Sequence, residues 1–269
     1  MNKPMTSLLP GPRYLVLIPS YNAGRKGLET VRAARATGEP VCVVIDGSTD
    51  GSGEQLTHMA QSDPGLTVLA LARNSGKGAA ILHGLRDALA RGFTHVLTMD
   101  ADGQHPAAMI PAFIAASRAQ SDALILGKPV FDASAPWERV IGRRLSNWWI
   151  NVETLHAGIG DSLFGMRVYP ARPLLAVMES RRSMRRFDFD AEAAVRLVWR
   201  GLRPINLPTP VRYFRAEEGG VSHYRYLRDN VLLTRMLLRL FCGFLLRLPL
   251  LLVRRFRTRA GAGNDIRTQ

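Results

Sequence analysis

The sequence predicts an α/β fold with a mostly parallel central sheet and helices on both faces, and three observations carry that expectation. Short apolar runs alternate with helical spacings along the first half of the 269-residue chain, the pattern of parallel strands joined by helical crossovers. The runs are apolar throughout, as strands covered on both faces require. The first four of them end in polar clusters, at the carboxyl ends where such sheets bind ligands.

Taken in order, YLVLI at 14–18 is β-branched, apolar and bounded by Pro19, so it reads as a buried strand. Residues 24–37 have helical spacing. VCVVI at 41–45 is a second strand, closed by Asp46-Gly47, and 53–61 suits a short helix. LTVLAL at 66–71 is a third strand. Residues 77–90 place Ala80, Ile81, Gly84, Leu85 and Leu89 on one helical face. THVLTM at 94–99, a helix over 106–117 and DALILG at 122–127 continue the alternation. From Val130 it is lost. A helix is expected over 137–155 and another over 188–200, NLPTPVRYF at 206–214 reads as extended, and 223–258 is rich in Leu and Arg. The expected organisation is an α/β domain over 1–222 followed by basic amphipathic helices and a tail over 223–269.

At 46% hydrophobic the chain can bury a sizeable core, and its net charge of +14 favours anionic partners: nucleic acid, phosphate-bearing substrates or a membrane surface. The two cysteines, Cys42 and Cys242, lie far apart in apolar runs without a CxxC or Cys/His cluster. They read as core thiols of a reducing compartment, not a disulfide or zinc site. The N-terminus lacks the pattern of a secretory signal. No stretch of about eighteen charge-free apolar residues is present, so no clean transmembrane helix is expected.

The four strand ends supply Pro19-Ser20-Tyr21-Asn22, Asp46 to Asp50, Arg73 to Lys77, and Asp100 to His105. In the last of these, DADGQH, one residue separates Asp100 from Asp102 just past a strand, so a turn can aim both carboxylates at one point. Hard cations such as Mg²⁺ or Mn²⁺ take oxygen ligands and keep positions open for substrate phosphates. Gln104 offers a further oxygen, and Ala101 and Gly103 leave room for a close ligand. An isolated pair of this kind would be a solvated turn capping the next helix; four loops converging on one edge decide for a ligand site. DGSTDGS at 46–52 supports either a Gly-rich turn or a ribose contact by Asp46. RNSGKGAA at 73–80 lacks the Walker spacing, but Lys77 at a glycine-flanked helix start can neutralise phosphate charge. No GxGxxG follows the first strand, which disfavours a dinucleotide-binding site.

IPSYN (18–22), VIDGSTDGS (44–52), RNSGKGAA (73–80), MDADGQH (99–105) and GDSLFGMRVY (160–169) together resemble the inverting family 2 glycosyltransferases of the GT-A fold, over about residues 14–215. Within that family they are most similar to polyprenyl-phosphate sugar transferases. The resemblance implies that Pro19, Tyr21, Asn22 and Asp46 contact the nucleoside of a nucleotide-sugar donor, with Lys77, Asp100 and Ala101 nearby. It implies that Asp100, Asp102 and Gln104 hold Mg²⁺ or Mn²⁺ at the diphosphate, and that Asp161 faces the sugar or acceptor. Lys128, Arg144 and Ser146 fall where the acceptor phosphate would be met. Two departures stand out: Ala23 replaces the family's Glu after Tyr-Asn, and Ile45 replaces the first of its paired Asp.

A lipid-phosphate acceptor is already an anionic nucleophile, whereas a glycan or lipid hydroxyl needs a carboxylate base. Asp161 is the candidate, with Asp188 and Asp190 in RRFDFDAE in reserve, where acids favoured by a helix N-terminus explain them equally well. In 231–259, Leu blocks alternate with single arginines. Arg235 and Arg239 share a helix face, and Pro249 is expected to break or kink the helix. Arginine at mid-span costs roughly 2.5–3.5 kcal/mol, so the segment is expected to lie in the membrane interface with its Arg heads at lipid phosphates. A core helix with a solvated tail, or a short spanning hairpin, are the other readings. His223, Arg225 and Arg228 can line an acceptor entrance, and a capping or surface role serves His223 as well. The expected location is the cytoplasmic face of the plasma membrane, peripheral or monotopic. A nucleic-acid-binding reading fits the charge but not the 7% aromatic content, so no nucleic-acid partner is expected. A nucleotidyltransferase, which also uses paired Asp and a metal, would consume a nucleoside triphosphate instead.

Overall fold

The computed structural model describes residues 11–131, 137–181, 183–211 and 226–265, the side chains of 137–139, 226–230 and 256–265 lying outside that set. Its centre is a seven-stranded sheet ordered β3-β2-β1-β4-β6-β5-β7. β1 (Tyr14–Ser20), β2 (Val41–Asp46), β3 (Leu66–Leu71) and β4 (His95–Thr98) are mutually parallel. β6 (Arg167–Pro170) runs antiparallel between β4 and β5 (Leu124–Val130), and β7 (Pro204–Pro210) pairs parallel with β5 at the edge.

Successive residues of β1 point to opposite sides. Leu15 and Leu17 enter a core beneath α3 (Lys77–Ala90), α6 (Ala171–Glu179) and α7 (Phe189–Trp199). Tyr14, Val16 and Ile18 enter a second core beneath α1 (Gly24–Arg35), α2 (Ser52–Ser62) and α4 (Ile110–Ala119). A strand covered on both faces has no polar alternation to keep. β3, at the edge, is only half-buried. A 3₁₀ turn, Ala107–Met109, precedes α4.

Sequence reading did not find β6 and α6. The topology explains their role: β6 runs against β4, with Thr98 opposite Arg167. The loop preceding β6 therefore arrives at the same sheet edge as the loops that leave β1, β2, β3 and β4.

α5 (Trp137–Glu153) and α8 (Tyr226–Asp265) flank the domain. α8 corrects four expectations. It is one helix, and it passes through Pro249 without a break. A proline removes one backbone hydrogen bond, and here both flanks are anchored: Leu248 and Leu251 pack on the core, and Arg254 and Arg255 donate to the carbonyls of Trp199 and Leu155. Second, Val231–Arg255 is long and apolar enough to cross a membrane by length and composition, its most apolar eighteen residues having mean hydropathy 2.1. Third, Arg239 and Arg247 turn toward the domain, Arg239 onto Glu192 and Arg247 over the Trp199 ring. Fourth, Cys242 is exposed on this helix, and only Cys42 is a core thiol. Met236, Leu240 and Phe244 form the stripe that α8 buries on the domain, spaced at the four-residue repeat of one helix face. The expected boundary at residue 222 and the side chains of His223, Arg225 and Arg228 lie outside the described set.

Candidate active site

The loop after β4 folds on itself. The backbone N–H of Asp100 donates to His105 Nδ1 (2.8 Å), which leaves the imidazole proton on Nε2, facing Asp100 Oδ2 at 3.8 Å. Asp102 Oδ1 accepts the N–H of Gln104 (2.9 Å), and Gly103 takes the left-handed conformation at φ +77° that this turn demands. Neither Asp caps a helix, since the N-cap positions of the 3₁₀ turn and α4 are Pro106 and Met109, without side-chain caps. The capping explanation thus fails. Burial, and then the charge of Asp100, raise the Asp102 carboxyl above its ordinary range. Burial opposes ionisation of Asp100 too, but the Lys77 ammonium, with His105 and Arg167 behind it, outweighs it and holds that carboxyl low.

Lys77, the first residue of α3, lies between two acids. Its Nζ is 2.6 Å from Asp100 Oδ1 and 2.6 Å from Asp190 Oδ2. Burial disfavours its charge, yet the two carboxylates more than compensate and hold it above the usual lysine range. Asp190 Oδ1 is buried with no hydrogen-bond partner among the described residues. Burial lowers the affinity of His105 for a second proton. Gly165, just before β6, borders this group: a Cβ there would lie 2.7 Å from Lys77 Nζ and 2.8 Å from Asp100 Oδ2. Arg167 is wholly buried and serves as the hub. It donates to the carbonyls of Phe164, Asp190 and Asp161, tying the loop at 160–166 to the first turn of α7.

On the other side of the edge, Asp46 is 2% exposed and both its oxygens are engaged, accepting N–H groups of Ser75 and Gly76 at 2.7 Å each. It thereby anchors the loop that carries Lys77. Asn22, at φ +45°, accepts the N–H of Thr49 through Oδ1 (2.8 Å). Asp50 accepts the N–H of Gly24 (2.9 Å), so the first two loops brace each other. Pro19 and Tyr21 are half-buried beside them. Ala101 is buried, and its carbonyl accepts the Thr30 hydroxyl at 3.4 Å.

A cavity of about 190 Å³ adjoins this edge, lined by Lys128, Phe131, Arg143, Arg144, Asn147 and Asp161 among others. Asp161 Oδ1 accepts Arg143 Nη1 (2.7 Å) and the N–H groups of Leu163 (2.9 Å) and Phe164 (2.7 Å). Lys128 lines the cavity. Arg144 lines the cavity but is exposed, and its neighbour Arg143 makes the ion pair. Ser146 lies behind, its hydroxyl 3.2 Å from that of Ser162. Gln104 is half-buried at the carboxylate loop, where its backbone N–H holds Asp102. Arg143, Arg167, Asp50 and Gly165 went unassigned in the sequence. Asp50 stands in DGSTDGS, and Gly165 and Arg167 stand in GDSLFGMRVY; of the four, Arg143 alone lay outside every motif.

A parallel sheet that opens four loops onto one edge, completed by an antiparallel strand, defines the GT-A class of fold. Glucosyl-3-phosphoglycerate synthase from Mycobacterium tuberculosis, solved with Mn²⁺, UDP and glucosyl-3-phosphoglycerate, shares it: TM-score 0.62 at 17% identity, covering 87% of this chain and 80% of that one. The chain belongs to glycosyl transferase family 2, whose model matches residues 15–168, and it is a glycosyltransferase. It is 30% identical over 220 residues to a polyprenol monophosphomannose synthase of Mycolicibacterium smegmatis, covering 79% of this chain and 81% of that protein. It is 29% identical over 210 residues to an undecaprenyl-phosphate mannosyltransferase of Micrococcus luteus, covering 73% and 82%.

Proposed function

We propose that this enzyme transfers a sugar from a nucleotide-sugar donor to a polyprenyl phosphate at a membrane surface, with inversion at the anomeric carbon and with a divalent cation. The observation that carries this reading is a carboxylate pair and a cationic cavity joined through one buried arginine, Arg167. Arg167 ties Asp161, at the cavity, to Asp190, which holds Lys77 against Asp100.

Asp100 and Asp102 suit Mg²⁺ or Mn²⁺. Both are oxygen donors, and the charge of one raises the proton affinity of the other, a repulsion that a cation relieves. Among the described residues no three His, Cys, Asp or Glu side chains form a complete protein cage. Two carboxylates that leave positions for substrate phosphates fit a hard cation working on a diphosphate. When bound, the ion supplies Lewis-acid neutralisation of the leaving nucleoside diphosphate.

The chain's own residues do the rest. Lys77 brings a fixed positive charge to the carboxylate loop, and Asp46 holds the turn that carries it. Lys128, Arg143 and Arg144 offer three cations to an acceptor phosphate. Arg143 is aimed by Asp161, whose Oδ1 already accepts three hydrogen bonds. An acceptor that is already an anion needs no base, so Asp161 acts in this reading by orienting Arg143. Transfer to a hydroxyl would need a carboxylate free to take a proton.

Supply from the membrane follows from the two flanking helices. Leu238, Leu245, Leu246 and Leu250 of α8, and Ile141, Leu145 and Trp148 of α5, are exposed apolar side chains. Crossing a bilayer would require α8 to detach Met236, Leu240 and Phe244 from the core. A helix docked along one side and apolar on the other suits an in-plane position.

The test is incubation of the purified protein with a panel of labelled nucleotide sugars and either polyprenyl phosphate or polyprenol, followed by lipid extraction. Label should enter the phosphate-bearing lipid only, disappear with EDTA or Asp102→Ala, and return when Mg²⁺ or Mn²⁺ is restored to the EDTA-treated protein. Arg143→Ala should raise the acceptor KM about tenfold, the scale of one charge-assisted contact, with the donor KM unchanged. Equal transfer to polyprenol, or full activity in EDTA, would overturn the proposal.

A further inference from the structure

We propose that Arg239, on the membrane-facing helix α8, is a positioning residue for the donor site: it seats α7 and the turn before it against the start of α3, which carries Lys77. The inference rests on the donor-site reading above and adds a residue that lies outside that site.

Arg239 Nη2 is 2.5 Å from Glu192 Oε2 and 3.7 Å from Asp188 Oδ2. Glu192 is fully buried, and its other oxygen accepts Arg196 Nε (2.7 Å) and the Ser183 hydroxyl (3.1 Å). Asp188 organises the preceding turn. Its Oδ2 accepts the N–H of Met184 (3.3 Å) and its Oδ1 that of Arg186 (3.1 Å). Met184 is held at φ +67°, a conformation a non-glycine residue keeps only when its surroundings impose it. A planar guanidinium can serve two acids at once, which an ammonium on a flexible stem does less well.

The turn so fixed lies directly on the N-terminus of α3. The Arg185 carbonyl accepts the N–H of Ala79 at 3.1 Å. A Cβ at Gly78 would come within 2.0 Å of the Met184 carbonyl oxygen, and one at Gly76 within 2.4 Å of that of Arg185. These glycines exist so that the two backbones can touch. A second connection runs through α7 itself: two residues before Glu192 stands Asp190, whose carboxylate holds Lys77 to Asp100. The first connection begins at Asp188, which Arg239 pairs, and the second runs along the helix that Arg239 holds through Glu192; both end at the start of α3, which carries Lys77. Removing Arg239 leaves Asp188 without its cation and Glu192 with Arg196 alone. The turn at 184–188 then loosens, and Lys77 loses its fixed place beside Asp100.

The experiment compares full-length wild type, Arg239→Gln and Arg239→Lys. Calorimetric titration with Mn²⁺ and UDP, GDP, ADP, CDP or dTDP measures donor-site affinity, and hydrogen exchange follows the amides of 76–80. In Arg239→Gln the best nucleotide should bind about tenfold more weakly, within the usual range of such couplings. Exchange at 76–80 should quicken while β1, β2 and β4 stay protected, and in turnover the donor KM should rise with the acceptor KM unchanged. Arg239→Lys should recover part of each change. Unaltered affinity and exchange in Arg239→Gln, or uniformly faster exchange throughout the sheet, overturns the positioning role. If wild type binds none of the nucleotides, the donor-site reading fails, and the exchange data still decide whether Arg239 holds the turn.

Discussion

Replacing Gly165 with alanine adds one methyl group at the point where the site is most crowded. Gly165 is not among the residues at positive φ, so alanine suits its backbone and the effect comes from the added carbon. That carbon would sit 2.7 Å from Lys77 Nζ, 2.8 Å from Asp100 Oδ2 and 3.1 Å from His105 Cε1. Carbon contacts are comfortable at about 3.5 Å and beyond, so each neighbour must yield by several tenths of an ångström. The backbone cannot retreat easily, because the Gly165 carbonyl accepts the Thr98 hydroxyl at 2.9 Å next to a buried strand. Lys77 is the flexible group, but its ammonium is fixed by two ion pairs of 2.6 Å, and moving it stretches at least one. Overpacking of this size costs roughly 1–3 kcal/mol. A displacement approaching an ångström at a positioned group costs on the order of a hundredfold in rate. Gly142→Ala is the control: it lies in α5, is exposed, and a Cβ there meets nothing. It should gain about 0.5–1 kcal/mol from helix propensity and leave activity unchanged. Urea unfolding and initial rates of sugar transfer report both quantities. A folded Gly165→Ala that transfers within about twofold of wild type would refute the assignment of this cluster to the donor site.

Two further outcomes are expected. Glu153 is fully buried, with Trp149 donating to Oε1 at 2.7 Å and Oε2 lacking a partner among the described residues; burial pushes its pKa from 4.5 up to about 7, against the Trp149 bond. The folded state therefore holds the proton more tightly than the unfolded chain. The stability this gives is complete below about pH 4.5 and is lost as pH rises through about 7. Wild type should lose on the order of 3 kcal/mol between pH 4.5 and 8 relative to Glu153→Gln, read as urea midpoints, and parallel profiles would sink this. The second outcome concerns the outward face of α8, where Leu238, Leu245 and Leu246 are 58%, 51% and 84% exposed. Changing all three to Gln should cut flotation with anionic vesicles at least a hundredfold, since each leucine transferred to lipid contributes roughly 1.5–3 kcal/mol. The melting temperature should not move, and undiminished vesicle binding would remove the in-plane reading.

The parallel half of the sheet was legible because burial on both faces leaves a run with no polar alternation, and β1, β2 and β4 are such runs. β6 was not legible. It has four residues, ends in Pro170 and pairs antiparallel, so neither its length nor its period separates it from the loop before it. Helix phase explains why Arg143, and not Arg144, makes the ion pair with Asp161. Two adjacent arginines on a helix stand about 100° apart, and sequence alone does not fix which one meets Asp161. Lys77 was legible as a cation at a helix start, but not as the bridge of two acids, because Asp190 lies 113 residues further on. The arginines of α8 make the same point about charge. Their number predicts an anionic partner, yet Arg239 finds that anion in Glu192 and Arg254 and Arg255 donate to carbonyls of the domain. A residue count cannot separate cations that hold the helix to its own protein from cations left for lipid. Only the docked stripe of Met236, Leu240 and Phe244, by fixing the rotation of α8, makes that division.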